Sequence, residues 1–469
     1  MLSGKNLKKV TPDSRQLSLS LNASPKLPNH EYSIAAIFTA IQLYITGGVS
    51  FHACSRIIAC FHDRLTEFSR VPTNNSIQSW VLRLGLFQLI VAKQNADDWV
   101  VILDHTCQLG NQKCLVVIGI RLSHWKTLGR PLTFRDMTIL MIRVINSSTG
   151  LVVESQLREV QTEIGHIAAI LSDQGSDLVN GTKLFSQSPE EPRLFDVDQV
   201  ALPGEAKPLV LKDFSHASSH ILKGHLEADP RWREFISQCG KTQPKVKQTV
   251  LGALAPPTQK VKGRYMNIGE IIYWGVKMLS LLEVNFGKLP KEIDRMLLQA
   301  KYGWIGEFAD SLDQWNELHQ LREESMQVIR VFGYSNRAVD EMSSKLSVYR
   351  SYPSSQSMAD ELLELARSQS ALLGPGQSYP GSSEIIESLI SKSKQIQGQH
   401  SRGGFTKMVL TIGSFMSELS ESKVWQSLLA IREIDIRQWT KKTLGNTLGS
   451  IRRTSLPGTE RASKQNVQS

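Results

Sequence analysis

The sequence predicts an α/β protein: a mixed sheet flanked by helices, with a helical region ahead of it and a long all-helical stretch within it. Two observations point there. Short, nearly continuous apolar runs such as "WVVIL", "CLVVIGI" and "AAIL" crowd into residues 96–212, as buried strands do. On either side, from 31 to 90 and again from about 220 onward, apolar residues recur at helical spacing.

The chain has 469 residues, room for roughly two to four domains. Its net charge of +10 and pI near 9.3 favour a polyanionic partner, nucleic acid first. Five cysteines (Cys54, Cys60, Cys107, Cys114, Cys239) form no CxxC pair, a spacing that suggests reduced structural thiols in a cytosolic protein. The polar N-terminus has no apolar signal core, and no apolar run reaches about 18 residues. A cytoplasmic chain without a membrane span is expected. There is no Walker A loop, no GxGxxG and no Ser/His/Asp or Cys/His arrangement.

Residues 1–30, rich in Ser, Lys, Asn and Pro, suggest a flexible arm. Three helical patterns fill 31–95. Gly47-Gly48 stops the first, Ser50 caps the second, and 72–75 supply the turn and cap of the third. Two short amphipathic helices and a third that opens on small polar residues describe a helix-turn-helix. Asn74, Asn75, Gln78 and Arg83 would then be DNA-binding, with Ile77, Trp80 and Leu84 inward. The same pattern also fits a three-helix cap on the next domain.

Residues 96–224 are expected to form strands at "DDWVVILDHT", "KCLVVIGIRL" (after a turn at 110–111) and "MTILMIRVI". A helix at "VVESQLREVQTEIG" follows, then strands at "HIAAILSD" and "KPLVLKD". A three-strand meander, a helix and two further strands resemble the RNase H-like fold. From 225 to 378 the pattern is all-helical, with Trp304, Phe308, Leu312 and Trp315 as a core stripe. "GPGQSYP" breaks it, 379–440 return to the final helices of the core, and 441–469 form a basic tail expected to be disordered.

Two acids end strands: Asp104 closes "VVILD" and Asp173 closes "AAILSD". Carboxylates on neighbouring strand ends form a rigid oxygen-ligand cage for Mg²⁺. Gly175 lets the chain turn off the strand, and Asp177 would cap the next helix. His105 falls on the opposite face of its strand. Asp213 and His216, three apart at a strand–helix junction, would share one face and line the site, or be an N-cap and a surface histidine. In "SSEIIESLISKSK", Lys394 follows Glu387 by seven residues, back on nearly the same helical face.

Asp104, "SDQGSD" with Asp173, the Asp-x-x-His of Asp213 and His216, a long helical insert, and then Ser383, Ile385, Ile386 and Glu387 with Lys394 beyond, together resemble the DDE transposases. They are most similar to Mutator-like and related insertion-sequence groups, over about residues 30–440. That resemblance implies Asp104, Asp173 and Glu387 as catalytic metal ligands for two Mg²⁺ (Mn²⁺ able to substitute). It implies cleavage of double-stranded DNA at element ends, transfer of the 3′-hydroxyl to target DNA, and a homodimer in a synaptic complex in a bacterial cytoplasm. Glu307, three residues after Trp304, is the alternative third acid, but Gln314 stands where a lysine would follow. Lys245, Lys247, Lys260, Lys262, Arg264, Lys392 and Arg402 form basic patches suited to phosphate contacts, or to solvated loops. Two further readings remain open: an RNase H-like nuclease without strand transfer, and a catalytically inactive, transposase-derived DNA-binding regulator.

Overall fold

The computed structural model describes residues 25–28, 30–62, 68, 70–107, 112–145, 147–173, 175–187, 207–258, 268–283, 293–398, 405–416, 418–445 and 448–455. Most of the expected arm and tail, the turn at 110–111, and the basic residues Lys260, Lys262, Arg264 and Arg402 lie outside the described residues.

The chain opens with α1 (Ile34–Ile45), α2 (Phe51–Phe61) and α3 (Asn74–Ile90), begun by the side chains of Ser33, Ser50 and Thr73, which accept from amides three residues on. The sheet follows as β1 (Ala96–Cys107), β2 (Lys113–Arg121), α4 (Leu122–Leu128), β3 (Thr138–Ile145), α5 (Gly150–Ile164), β4 (Gly165–Ser172), α6 (Ser176–Ser186) and β5 (Leu209–Lys212). Strand order is β3-β2-β1-β4-β5. The β1–β2 and β2–β3 pairs are antiparallel, and the β1–β4 and β4–β5 pairs parallel. This is an α/β chain with a five-stranded mixed sheet, compatible with the RNase H-like arrangement.

Strand alternation sorts the apolar side chains onto two faces. Trp99, Val101 and Leu103 pack with Val153, Leu157 and Val160 of α5 and Leu178 of α6. Val100, Ile102, Ala169 and Leu171 face the larger core on the other side, with α3 and the C-terminal helices. Strand β2, paired on both sides between β3 and β1, is buried along nearly its whole length, which explains its unbroken apolar run.

After β5 come α7 (Phe214–Ala228), α8 (Pro230–Val246), α9 (Ile268–Glu283), α10 (Arg295–Tyr302), α11 (Ala309–Phe332), α12 (Asn336–Leu346) and α13 (Pro353–Ser370). Trp232, Phe235, Phe308 and Trp315 form an aromatic centre there, with Trp232 and Trp315 edge-on at 4.9 Å. The expected stripe of Phe308, Leu312 and Trp315 is buried, with Trp304 packed beside it. The chain then returns through α14 (Glu384–Gly398) and closes with α15 (Thr411–Phe415), α16 (Glu421–Ala430), α17 (Glu433–Leu444) and α18 (Leu448–Ser455).

The helix expected to read DNA is a core element. Ile77, Trp80, Val81, Leu82, Leu84, Gly85 and Leu86 of α3 are all buried, and α1, α2, α15, α16, α17 and β3 pack around it. Its burial runs around several faces because it supports the sheet on one side and the C-terminal helices on the other.

Helices α3 and α15 touch backbone to backbone. A Cβ on Gly85 would lie 2.0 Å from the Leu410 carbonyl oxygen, and one on Gly413 would lie 2.5 Å from that of Gly85. Gly85→Ala is therefore expected to destabilise the chain by roughly 2 kcal/mol, despite its gain in helix propensity. Gly240→Ala on α8, where a Cβ meets nothing within 4 Å, is expected to be neutral or stabilising by up to about 1 kcal/mol. Urea denaturation of the two variants measures the difference; equal midpoints would contradict the close crossing.

Candidate active site

Register places the first two acids side by side. Leu103 of β1 pairs with Ser172 of β4 in the parallel ladder, so the next residues, Asp104 and Asp173, leave adjacent strand ends together. Asp104 follows Val100 and Ile102 on the period of two, and Asp173 follows Leu171; both aspartates therefore belong to the face that meets α14 rather than α5 and α6. Local amides fix each carboxylate. The His105 N–H donates to Asp104 Oδ1 at 2.6 Å, and the Gly175 N–H donates to Asp173 Oδ1 at 2.9 Å.

His105 lies on the far face, as alternation requires, where its Nε2 is 3.3 Å from Ser148 Oγ and its Nδ1 is 3.6 Å from Asp177. Asp177 corrects an expectation. The residue ahead of α6 is Gly175, with no side-chain cap, and Asp177 sits in the first turn. Its carboxylate accepts from Lys113 Nζ at 2.8 Å. Burial opposes ionisation, but Lys113, Ser148 and His105 together hold Asp177 down to about 2. An ion pair with β2 takes the place of a cap.

Asp213 organises the third side of the site. Its side chain is fully buried and caps α7 by accepting from the Ser215 and His216 amides at 3.3 and 3.1 Å. It also accepts from His216 Nδ1 at 2.5 Å, and from the Ser383 N–H and hydroxyl at 2.8 and 2.9 Å. Two further bonds fasten the same junction: the Phe214 N–H donates to the Gly381 carbonyl at 2.9 Å, and the Tyr334 hydroxyl to the Lys212 carbonyl at 2.6 Å. The start of α14 is thus pinned to the end of β5. One turn later Glu387 Oε1 lies 3.3 Å from Ser383 Oγ and 3.4 Å from His216 Nδ1. The neighbouring Glu384 is fully engaged elsewhere, accepting both Arg330 bonds at 2.7 Å from α11.

Electrostatics tie the three expected acids into one cluster. Burial first, then the charge of Asp173 and, less, of Glu387, push the Asp104 carboxyl up to about 7 against the His105 amide and His216. Burial also raises Glu387, opposed by His216. The hydrogen bond to Asp213 holds His216 up to about 9 against burial, with Glu387 and Asp173 adding to the rise. His216 is therefore a cation at neutral pH, set between four carboxylates. Asp213, His216 and Glu387 present ligand atoms within 4.8 Å of one another. Yet Asp213 already accepts five hydrogen bonds and His216 carries a proton, so that trio is a hydrogen-bonded support. Asp104 and Asp173 stand outside that trio, and Glu387 lies between His216 and the sheet acids.

Other expected residues fall elsewhere. Glu307 is exposed on a 3-10 turn (Gly303–Phe308) that packs on α8, α9, α10 and α11. Lys394 is exposed on α14, and Lys245 and Lys247 are exposed at the end of α8. Asn75 is exposed at the start of α3, and Asn74 meets His52 Nε2 at 3.3 Å. Three residues expected to contact DNA turn inward. Gln78 donates to Met408 Sδ at 3.2 Å. Arg83 donates to the Ile431 carbonyl at 2.5 Å and to that of Leu428. Lys392 donates to the Ile45 carbonyl at 2.8 Å and lies over the Phe415 ring. All three follow from the packing of α3 and α14 against the C-terminal helices and α1, which buries the faces these side chains occupy. Sequence reasoning missed the roles of Ser383, Arg330 and Tyr334; the Ser-x-x-x-Glu spacing is the one local signal among them.

No family model matches the chain, and no curated protein matches it. Among solved structures it is similar to the Drosophila P element transposase strand transfer complex, at 10% identity and a TM-score of 0.39, with 90% of this chain and 97% of that chain covered.

The raised Asp104 carboxyl gives a pH prediction. Its folded value, about 7, lies above the unfolded 3.8, so the folded chain keeps a proton that the unfolded chain releases. Its contribution is full below about pH 4 and is lost as pH rises through about 7. In EDTA, Asp104→Asn is expected to be the more stable protein at pH 7.5, by on the order of 3 kcal/mol, with the advantage fading toward pH 4.5. Thermal melts across that range test it; parallel pH profiles for the two proteins would contradict it.

Proposed function

We propose that the chain is a metal-dependent phosphoryl-transfer enzyme acting on double-stranded DNA, a transposase of the DDE kind. The observation that supports this most is the convergence of Asp104, Asp173 and Glu387, from two strand ends and a helix more than two hundred residues later. Burial, then the charges of Asp173 and Glu387, raise the proton affinity of Asp104, so the half-buried site is held together at an electrostatic cost. A divalent cation offsets that cost.

These residues fit Mg²⁺, with Mn²⁺ as a substitute, and Asp104, Asp173 and Glu387 would hold it. When bound, the ions supply Lewis acidity for attack on a phosphodiester and for departure of its leaving oxygen. The chain itself supplies rigidity and charge. The His105 and Gly175 amides fix the sheet carboxylates, and Asp213 with Ser383 fixes the helix that brings Glu387. Protonated His216, partly exposed beside Glu387, offers a positive group to the phosphate backbone. Lys394, Lys245 and Lys247 would meet DNA outside the centre, giving salt-sensitive binding. In this reading the substrates are element ends and target DNA, and two copies of the chain bring two ends together.

The test is nicking of supercoiled plasmid by the purified full chain in Mg²⁺. Asp173→Asn is expected to lower the rate by at least about a hundredfold, EDTA to abolish it, and Glu307→Gln to leave it near wild type. Nicking that persists in Asp173→Asn would remove this centre. Joining of end-containing DNA to a target separates a transposase from a nuclease that only cuts.

A further inference from the structure

We propose that Ser383 is a positioning residue for Glu387, a role that rests on the phosphoryl-transfer reading above. Ser383 is almost completely buried, 1% exposed, at the mouth of α14. Its carbonyl accepts the first bonds of that helix, from the Ile386 and Glu387 amides at 3.0 and 3.3 Å. A serine in such a place ordinarily turns its hydroxyl onto its own helix as a cap. Here the hydroxyl lies 2.9 Å from Asp213 Oδ2 and 3.3 Å from Glu387 Oε1. One hydroxyl proton thus sits between two carboxylates, nearer the fully buried one.

The two groups of Ser383 have separable tasks. Its N–H already ties α14 to Asp213 at 2.8 Å, and the Arg330–Glu384 pair and the Phe214–Gly381 bond fasten the same segment. The helix is therefore held in place without the hydroxyl. What the hydroxyl adds is a second contact on the Glu387 carboxylate, beside the one from His216 at 3.4 Å. A glutamate with several free torsions is costly to order. Both contacts fall on Oε1, so neither occupies Oε2. Removing the hydroxyl leaves Asp213 with four donors and α14 in place, and lets the Glu387 side chain wander.

Uptake of Mn²⁺ by the full chain without DNA, followed by electron paramagnetic resonance, reads this directly, with plasmid nicking in parallel. S383A is expected to raise the half-saturating Mn²⁺ concentration about tenfold and to slow nicking at low metal, with recovery at high metal. Its near-UV circular dichroism is expected to match wild type. S383T, which keeps the hydroxyl, is expected to restore metal affinity. Should S383A not fold, S383C keeps the shape with a weaker donor and is expected to shift the half-saturation in the same direction. If wild type takes up Mn²⁺ and nicks DNA while S383A (or, in its place, S383C) matches it in both, this role is overturned and the reaction assignment stands. If wild type does neither, the phosphoryl-transfer reading fails and this role fails with it.

Discussion

A single buried carboxylate sets the geometry on which the site depends. Asp213 lies at the end of β5 with no exposure to solvent, where an unpartnered charge would be prohibitively unfavourable. Its partners come from two places far apart in sequence: the first turn of α7 and, 170 residues later, the threshold of α14. The chain leaves the sheet at this residue, builds seven helices among the described residues (α7 to α13), and returns to it. Satisfying Asp213 and returning α14 to the sheet are therefore one requirement.

That requirement brings Glu387 to two aspartates that the sheet alone would already have placed together. The result is a local conflict. Hydrophobic alternation and strand register hold Asp104 and Asp173 adjacent, Asp213 anchors the helix that adds a third acid, and His216, the cation among the described residues that acts on Asp104, is already bonded to Asp213. Folding elsewhere in the molecule holds like charges together, a common property of catalytic centres. The asymmetry between the supporting acids and Asp104 is informative. Asp177, Asp213 and Glu384 each have dedicated donors, whereas Asp104 is pushed toward protonation by its surroundings.

Much of this was legible in the sequence, because it depends on short-range patterns. The apolar runs around Val100, Val116 and Ile170 marked β1, β2 and β4, and the order of elements implied a mixed sheet. Asp104 and Asp173 stood out because each ends such a run. The glutamate was harder, and only its resemblance to a known motif favoured Glu387 over Glu307. What sequence could not convey was which faces of helices are covered. Helix α3 has a polar opening suited to a groove, yet tertiary packing on the sheet and on α15 to α17 decided its environment, and Arg83 became a brace for two carbonyls. Lys392 and Lys394 look alike in sequence, but one is folded over an aromatic ring and the other is exposed. The junction at Asp213 was invisible for the same reason: Ser383, which donates to it, lies 170 residues away.

Anomalous diffraction from crystals of the full chain grown with Mn²⁺ examines the central claim most directly. The account predicts anomalous density bounded by the carboxylates of Asp104, Asp173 and Glu387, with Asp213 still bonded to His216 and Ser383. Density seated on Asp213 and His216 instead, or an α14 that leaves Glu387 out of the ion's coordination, would contradict it.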